Sequence, residues 1–387
     1  MTSPKRILVL AGGGLAHTSG GVGTLMRYLI ESWRSQNGPH VRVIDTRGQG
    51  GGLDGAAHFA AAIWHVLHHA AAGELGLVHA HMTTRGSVLR KCTLCGVAMA
   101  FRVPVIMHMH GADFFPFYLA LPRFSQAIIR AVLQRCHSVI VLGQAWQDFL
   151  RDQMKLAPSR IAIVPNGVPA PALPQPPHPD GTARILFLGR IGTRKGVPDL
   201  IAALASPGLC HAAWHAVIAG DGELHAARAQ IREARLESKI DVPGWTDRNT
   251  TNALLAAADI LVLPSYHEAM PIAILEALAS KVAVIATPVG AIPEFLANDV
   301  NAILVAPGNV AELAAAIADL LQDPTRRARL AAAGQALFQS RFTITAMSQK
   351  IAALYDSALT RTQNRKSFLF LFFKKEKLFF VPTDPPG

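Results

Sequence analysis

Short apolar runs, each followed by an amphipathic segment, govern what this chain can fold into. In the first half they fall at residues 6–10, 41–45, 77–81, 103–110, 138–142 and 161–164. Runs of this length without polar alternation read as strands buried on both faces, and strands alternating with helical segments form βαβ units. The expected fold class is therefore α/β, with a parallel sheet covered by helices on both sides.

Pro165, Pro169, Pro171, Pro174, Pro176, Pro177 and Pro179 crowd the next stretch, which can continue neither a helix nor a central strand. The strand pattern then restarts at 183–189 and recurs at 213–219, 240–242, 260–263, 282–286 and 303–305. A length of 387 residues suits two cores better than one. The expected order is a Rossmann-like domain at 1–168, a Pro-rich linker at 169–182 and a second Rossmann-like domain at 183–345. A closing helix at 346–362 and an extension at 363–387 follow. The extension, rich in Phe and Lys, has no helical apolar stripe. An unstructured tail is expected there, with a basic-aromatic membrane contact as the alternative.

Lys and Arg outnumber Asp and Glu by 37 to 26, a net charge of +11. A basic balance suits an anionic partner, or is simply a basic soluble surface. No stripe of basic residues interleaved with stacking aromatics occurs, which argues against nucleic acid. The leading apolar run is too short for a signal peptide, and no run reaches the roughly 18 residues that span a bilayer. A cytoplasmic protein is expected. Cys92 and Cys95 form a Cys-x2-Cys pair with no second pair at zinc-ribbon spacing; with Cys136 and Cys210 they read as buried thiols rather than a metal or redox site.

Two constellations carry the chemistry. Gly189-Arg190-Ile191-Gly192-Thr193-Arg194-Lys195-Gly196 lies between a strand and a helix that has Pro198 in its first turn. Arg190 and Lys195 thus stand at the carboxyl edge of the sheet, where open α/β folds bind ligands. Two cations beside a helix N-terminus suit a diphosphate. Pro264-Ser265-Tyr266-His267-Glu268-Ala269-Met270-Pro271-Ile272 likewise links a strand to a helix, and Glu276 lies a turn or more inside it. Glu276 can accept from two ribose hydroxyls and Glu268 from hydroxyls of a sugar. Amides around Met270, Pro271, Ile272 and Ala273 can face a phosphate. Taken singly, each loop is equally well a basic turn or an acidic helix start.

Together they resemble the large retaining glycosyltransferase family of group 1 (family 4), whose members include sucrose synthase-like, mannosyl- and glucosyltransferases on the GT-B fold. The matching residues are Gly189-Arg190…Lys195-Gly196, Glu268…Glu276, the Gly220-Asp221-Gly222 turn, Gly290-Ala291-Ile292-Pro293-Glu294 and the junction Val164-Pro165-Asn166-Gly167-Val168. Ala269 stands where the family usually has Gly, and Ala291 replaces another. The resemblance covers about residues 6–359 and implies two Rossmann-like domains facing a central cleft. It places the glycine loop of Gly21 and Gly23 near donor phosphate and sugar. It places His110 and Asp113 of a His-Gly-x-Asp turn at the transferred sugar, and Val242, Gly244 and Trp245 near the base. As catalytic residues it implies Arg190, Lys195, Glu268 and His110. Gly189, Gly220 and Glu276 join the donor site.

A nucleotide diphosphate sugar is the implied co-substrate. Likeness to bacterial exopolysaccharide mannosyltransferases points to GDP-mannose ahead of a UDP-hexose. The acceptor is a saccharide, for which a lipid-linked diphosphate saccharide fits the basic surface. A nucleotide-sugar epimerase or a silent sugar-nucleotide-binding protein is the rival reading. His79 and His81, at alternate strand positions, have no carboxylate nearby in sequence. The family usually needs no metal, so no metal or other cofactor is expected. Residues 114–135 are aromatic and then amphipathic, with Arg123, Arg130 and Arg135. They read equally as a peripheral contact with an anionic membrane or as a core helix behind an aromatic loop.

Overall fold

The structure is a computed structural model that describes residues 6–13, 20–48, 52–171, 181–209 and 212–376; side chains are described to residue 360. Cys210 and Pro174, Pro176, Pro177 and Pro179 lie outside these residues. The first parallel sheet contains β1 (Arg6–Ala11), β2 (Val41–Asp45), β3 (Leu75–Met82), β4 (Val105–Met109), β5 (Ser138–Val141) and β6 (Ile161–Ile163), in the order β2-β1-β3-β4-β5-β6. The second contains β7 (Ala183–Leu188), β8 (Trp214–Ala219), β9 (Ile240–Gly244), β10 (Ile260–Leu263), β11 (Ala283–Ala286) and β12 (Ile303–Leu304), in the order β12-β11-β10-β7-β8-β9. β3, β4, β5, β10 and β11 are buried at every position, as expected of strands covered on both faces.

Helices α1 (Gly21–Ser35), α2 (Leu53–Ala71), α3 (Gly86–Ala100), α4 (Phe114–Leu119), α5 (Arg123–Arg135) and α6 (Gln144–Asp152) accompany the first sheet. α7 (Val197–Leu204), α8 (Leu224–Glu233), α9 (Arg248–Ala257), α10 (Ile272–Ala279), α11 (Val310–Gln322) and α12 (Pro324–Arg341) accompany the second. α1 buries Leu25, Met26, Leu29, Ile30 and Trp33, one helical face. Each fully buried Leu or Ile contributes about 1.5–3 kcal/mol, which explains why these faces, more than helix propensity, hold the layers together.

The closing helix α13 (Ile344–Glu376) leaves the second domain and packs on α1 and β3 of the first. Met347, Ile351, Tyr355 and Ala358 recur at helical spacing and are buried. The helix also continues through Glu376, where an unstructured extension was expected. Once a packed segment has supplied the nucleus, each further residue adds a hydrogen bond at little cost, so no apolar stripe is needed to prolong it.

The 114–135 segment resolves mostly toward the core reading. Phe114 and Tyr118 on α4 are buried, and Phe115 stacks on Phe149 at 4.1 Å between ring centroids. An aromatic loop is thus a short helix roofed by α6. What remains exposed is a narrower patch of Leu119, Arg123, Phe124, Ile128 and Arg135. Cys92, Cys95 and Cys136 are free and buried, and burial pushes the Cys92 thiol up to about 11. This is the inert-thiol reading. Among the described residues no helix is long and apolar enough to cross a membrane.

Candidate active site

The ends of β7, β8 and β9 lie side by side. Gly189 N–H donates to Ala219 O at 3.1 Å and Gly220 N–H to Gly244 O at 2.8 Å. A Cβ on Gly220 would stand 1.8 Å from Gly189 O, so only glycine lets the two strand ends approach this closely. Arg190 follows β7, exposed, and has no ion pair or side-chain hydrogen bond among the described residues. Lys195 has a partner. Its Nζ donates to Glu268 Oε1, an oxygen that also accepts from Ser265 Oγ at 2.8 Å. The two charged side chains are only 13% and 7% exposed. Glu268 Oε2 has no hydrogen-bond partner among the described residues.

The loops that carry this pair are tied to each other: Tyr266 N–H donates to Arg194 O and Arg194 Nη1 to His267 O. Gly290 braces the second loop from beneath. Its φ is +60°, and a Cβ there would meet Glu268 O at 1.9 Å. The glycine of the Gly290-Ala291-Ile292-Pro293-Glu294 segment therefore supports Glu268. Glu294 itself faces the first domain, where Oε2 accepts from Gln144 N–H at 2.6 Å and Oε1 from Ala145 N–H at 3.0 Å. It caps α6 across the cleft.

Two helix N-termini converge beside the pair. α1 begins after Gly20 and α10 after Pro271, and neither has a side-chain cap. A Cβ on Gly21 would lie 3.6 Å from Ile272 Cγ1. The open amides of α10 begin at Ile272, because Pro271 has no N–H, while Met270 O accepts from Asn166 Nδ2 at 2.9 Å. Gly23, the third residue of α1, is buried. Two dipole ends with Arg190 and Lys195 give the concentration of donors and positive charge that a diphosphate requires.

His110 closes the other wall. It accepts or donates at Nε2 with His81 Nδ1, 2.8 Å away, and burial pushes its imidazole down to about 3, so it is neutral. Asp113 leads into α4 and lies 3.6 Å from His267 Nδ1 across the cleft.

Glu276 differs from expectation in being already engaged. Tyr28 Oη, from α1, donates to its Oε1 at 2.6 Å, and Arg248 lies over the Tyr28 ring while pairing with Glu31. Burial raises the Glu276 carboxyl to about 7, partly offset by the Tyr28 bond and Arg248. Burial and the nearby carboxylate keep Tyr28 protonated. A small pocket between Tyr28, Arg248, Asn252 and Glu276 runs along this seam. Val242 lies within β9, Gly244 ends it, and Trp245 beyond is 60% exposed. Tyr28, Arg248 and Ser265 were not legible as site residues. They contact it only through the packing of one domain on the other, or through a side chain three residues away.

Residues 27–167 match the model of the glycosyl transferase 4-like domain, and residues 172–337 match that of glycosyl transferases group 1. The chain belongs to the group 1 glycosyltransferases. This glycosyltransferase is 30% identical over 243 residues to a glycogen synthase of Mycobacterium tuberculosis, an alignment that covers 62% of this chain and 58% of that one. It is 29% identical over 241 residues to a phosphatidyl-myo-inositol mannosyltransferase of Mycobacterium leprae, covering 60% and 64%. The chain thus spans little more than half the length of the glycogen synthase. Its fold is GT-B. Sucrose-phosphate synthase from Thermosynechococcus elongatus superposes with a TM-score of 0.73 at 20% identity, over 92% of this glycosyltransferase and all of that chain. The Anabaena protein HepE, solved with UDP and glucose, gives 0.71 at 22%, over 91% and all of that chain.

Proposed function

We propose that this glycosyltransferase moves a hexose from a nucleotide diphosphate sugar to a saccharide acceptor, with retention of anomeric configuration, in polysaccharide assembly. The observation that carries the reading is the cation pair Arg190 and Lys195 beside two uncapped helix N-termini, α1 from one domain and α10 from the other. Negative charge grows on the departing diphosphate as the glycosidic bond breaks, and preorganised charge at that point lowers the barrier directly. Glu268 Oε2 orients the sugar through a hydroxyl, and His110, neutral and held by His81, supports its other face. Glu276 takes the ribose when Tyr28 releases it. No metal is needed for the leaving group, because the protein supplies the positive charge.

GDP-mannose and a UDP-hexose are the competing donors. HepE's bound UDP favours the uridine donor, and the mannosyltransferase name of the mycobacterial relative favours mannose as the sugar. Thermal-shift titration with UDP-glucose and GDP-mannose in parallel separates them, since stabilisation follows affinity for the folded state. The class of reaction is tested by product. A transferase releases nucleoside diphosphate only when an acceptor is present, whereas an epimerase converts the donor alone. For the acceptor, the exposed patch of Phe124, Ile128, Arg123 and Arg135 favours a lipid-linked saccharide met by a peripheral enzyme at the cytoplasmic face.

A further inference from the structure

Beneath His110 lies a group of side chains that the transfer reaction does not use. His79 and His81 stand on β3, and His108 stands opposite His81 on the neighbouring β4. All three project from the same face, because paired residues and those two apart share a side of a sheet. Their rings are 4.4 Å (His79 to His81), 5.0 Å (His81 to His108) and 5.5 Å (His79 to His108) apart, and they are essentially inaccessible. The sequence showed a pair; the third histidine comes only from strand pairing.

Their hydrogen bonds are uneven. His79 Nδ1 meets Tyr355 Oη at 2.7 Å and His81 Nδ1 meets His110 Nε2 at 2.8 Å. The Nε2 atoms of His79 and His81 and both nitrogens of His108 are buried with no partner. A buried polar atom that nothing satisfies is costly. Burial also keeps all three rings neutral, the form that has a lone pair to give. Turning one ring nitrogen to a hydrogen-bond partner and leaving the other free is how metal-liganding histidines are arranged.

We propose that His79, His81 and His108 bind one divalent first-row transition ion, of which Zn2+ is the natural probe, through one imidazole nitrogen each. One nitrogen from each ring already lies within 4.8 Å of the others. Ligands about 2.0–2.1 Å from zinc are roughly 3.3 Å apart in a tetrahedron, so small ring rotations complete the site. Imidazole nitrogen without carboxylate or carbonyl selects zinc, copper, nickel or cobalt over magnesium and calcium. The ion would have a consequence for the cleft. With Nε2 of His81 on the metal, its proton is on Nδ1 and is donated to His110 Nε2. The remaining proton of His110 then lies on Nδ1. The ion would be a positioning group for His110, separate from the diphosphate site.

The test uses the full chain, stripped with a chelator and given Zn2+ alone, with metal content read by mass spectrometry after gel filtration. One zinc per chain is expected, and Co2+ in its place should give the visible bands of tetrahedral coordination. His108→Gln should weaken zinc at least a hundredfold. Tyr355→Phe, which leaves every ligand nitrogen in place, should weaken it about tenfold by releasing His79. His65→Ala with His68→Ala, on the surface of α2, should change nothing. A stripped wild-type chain that takes up no zinc, or cobalt without tetrahedral bands, overturns the proposal. So does zinc retained in full by a folded His108→Gln chain, or lost in the α2 variant.

Discussion

Replacing Lys195 by Met separates what the buried ion pair does for the fold from what the cation does for the reaction. Met keeps the length and apolar stem and removes the charge. Glu268, 7% exposed, would then be a buried carboxylate left with Ser265 Oγ alone. Removing one partner of a buried pair costs about 3–5 kcal/mol, and the surviving Ser265 bond argues for the lower end, about 3 kcal/mol. In a domain of this size each kcal/mol moves the melting point by about 2–4 °C, so a drop of about 6–12 °C is expected. The double variant Lys195→Met/Glu268→Gln removes the stranded charge and should recover most of that loss. Turnover should behave otherwise. Losing a preorganised charge at the leaving group costs about 10²–10³-fold, and the double variant should restore none of it. Melting curves and a nucleoside diphosphate release assay on the three proteins give both readings. A Lys195→Met chain that melts with the wild type would refute the buried-pair reasoning. One that retains more than a tenth of wild-type turnover would refute the leaving-group role.

Glu276 predicts a pH dependence. Its folded pKa, raised to about 7 by burial, means the folded chain holds a proton that the unfolded chain has released above about 4.5. Stability from this group is therefore greatest at low pH and falls as pH rises from about 5 to 7, by at most about 3 kcal/mol. Urea midpoints at pH 5 and 7.5 should show it, and Glu276→Gln should flatten the difference. Gly290→Ala should cost about 2 kcal/mol or more, since left-handed φ is strained for Ala and its Cβ meets Glu268 O. It should also raise the donor KM; normal donor affinity would show that the brace does not set the loop. Replacing Arg123, Phe124, Ile128 and Arg135 by Ser should weaken sedimentation with anionic vesicles while leaving nucleotide-induced thermal shifts intact. Each basic residue contributes on the order of 1 kcal/mol there, and unchanged sedimentation would end the membrane reading.

Strand positions, the two sheets and the loops of Arg190 and Glu268 were legible because each rests on a local pattern: apolar runs of strand length, and charged turns between strand and helix. What escaped was set by distance in sequence. Tyr28 reaches Glu276 across 248 residues, and Tyr355 reaches His79 across 276. Neither has a local mark. Glu294 was legible as part of a family segment, but its target, the start of α6, was not, because capping across domains depends on how they dock. The aromatic run at 114–118 left two readings open for a related reason. Exposed and buried aromatics have the same composition, and only the neighbouring Trp146 and Phe149 decide between them.

The chain passes between its domains twice, and the two passages touch. Val168 N–H donates to Phe342 O and Ile344 N–H to Val168 O, while Gly167 is pressed so close to Thr343 and Met347 that a side chain there would clash. Two crossings laced side by side behave as an axle rather than as two tethers: they resist sliding and twisting, and leave rotation about their common line. Points near that line travel little. Met270, bonded to Asn166 two residues from the lacing, is such a point, whereas the Glu31–Arg248 and Asp113–His267 pairs are exposed contacts between the domains that such a rotation would break. Opening would thus part these outer contacts while the start of α10 keeps its position against the first domain.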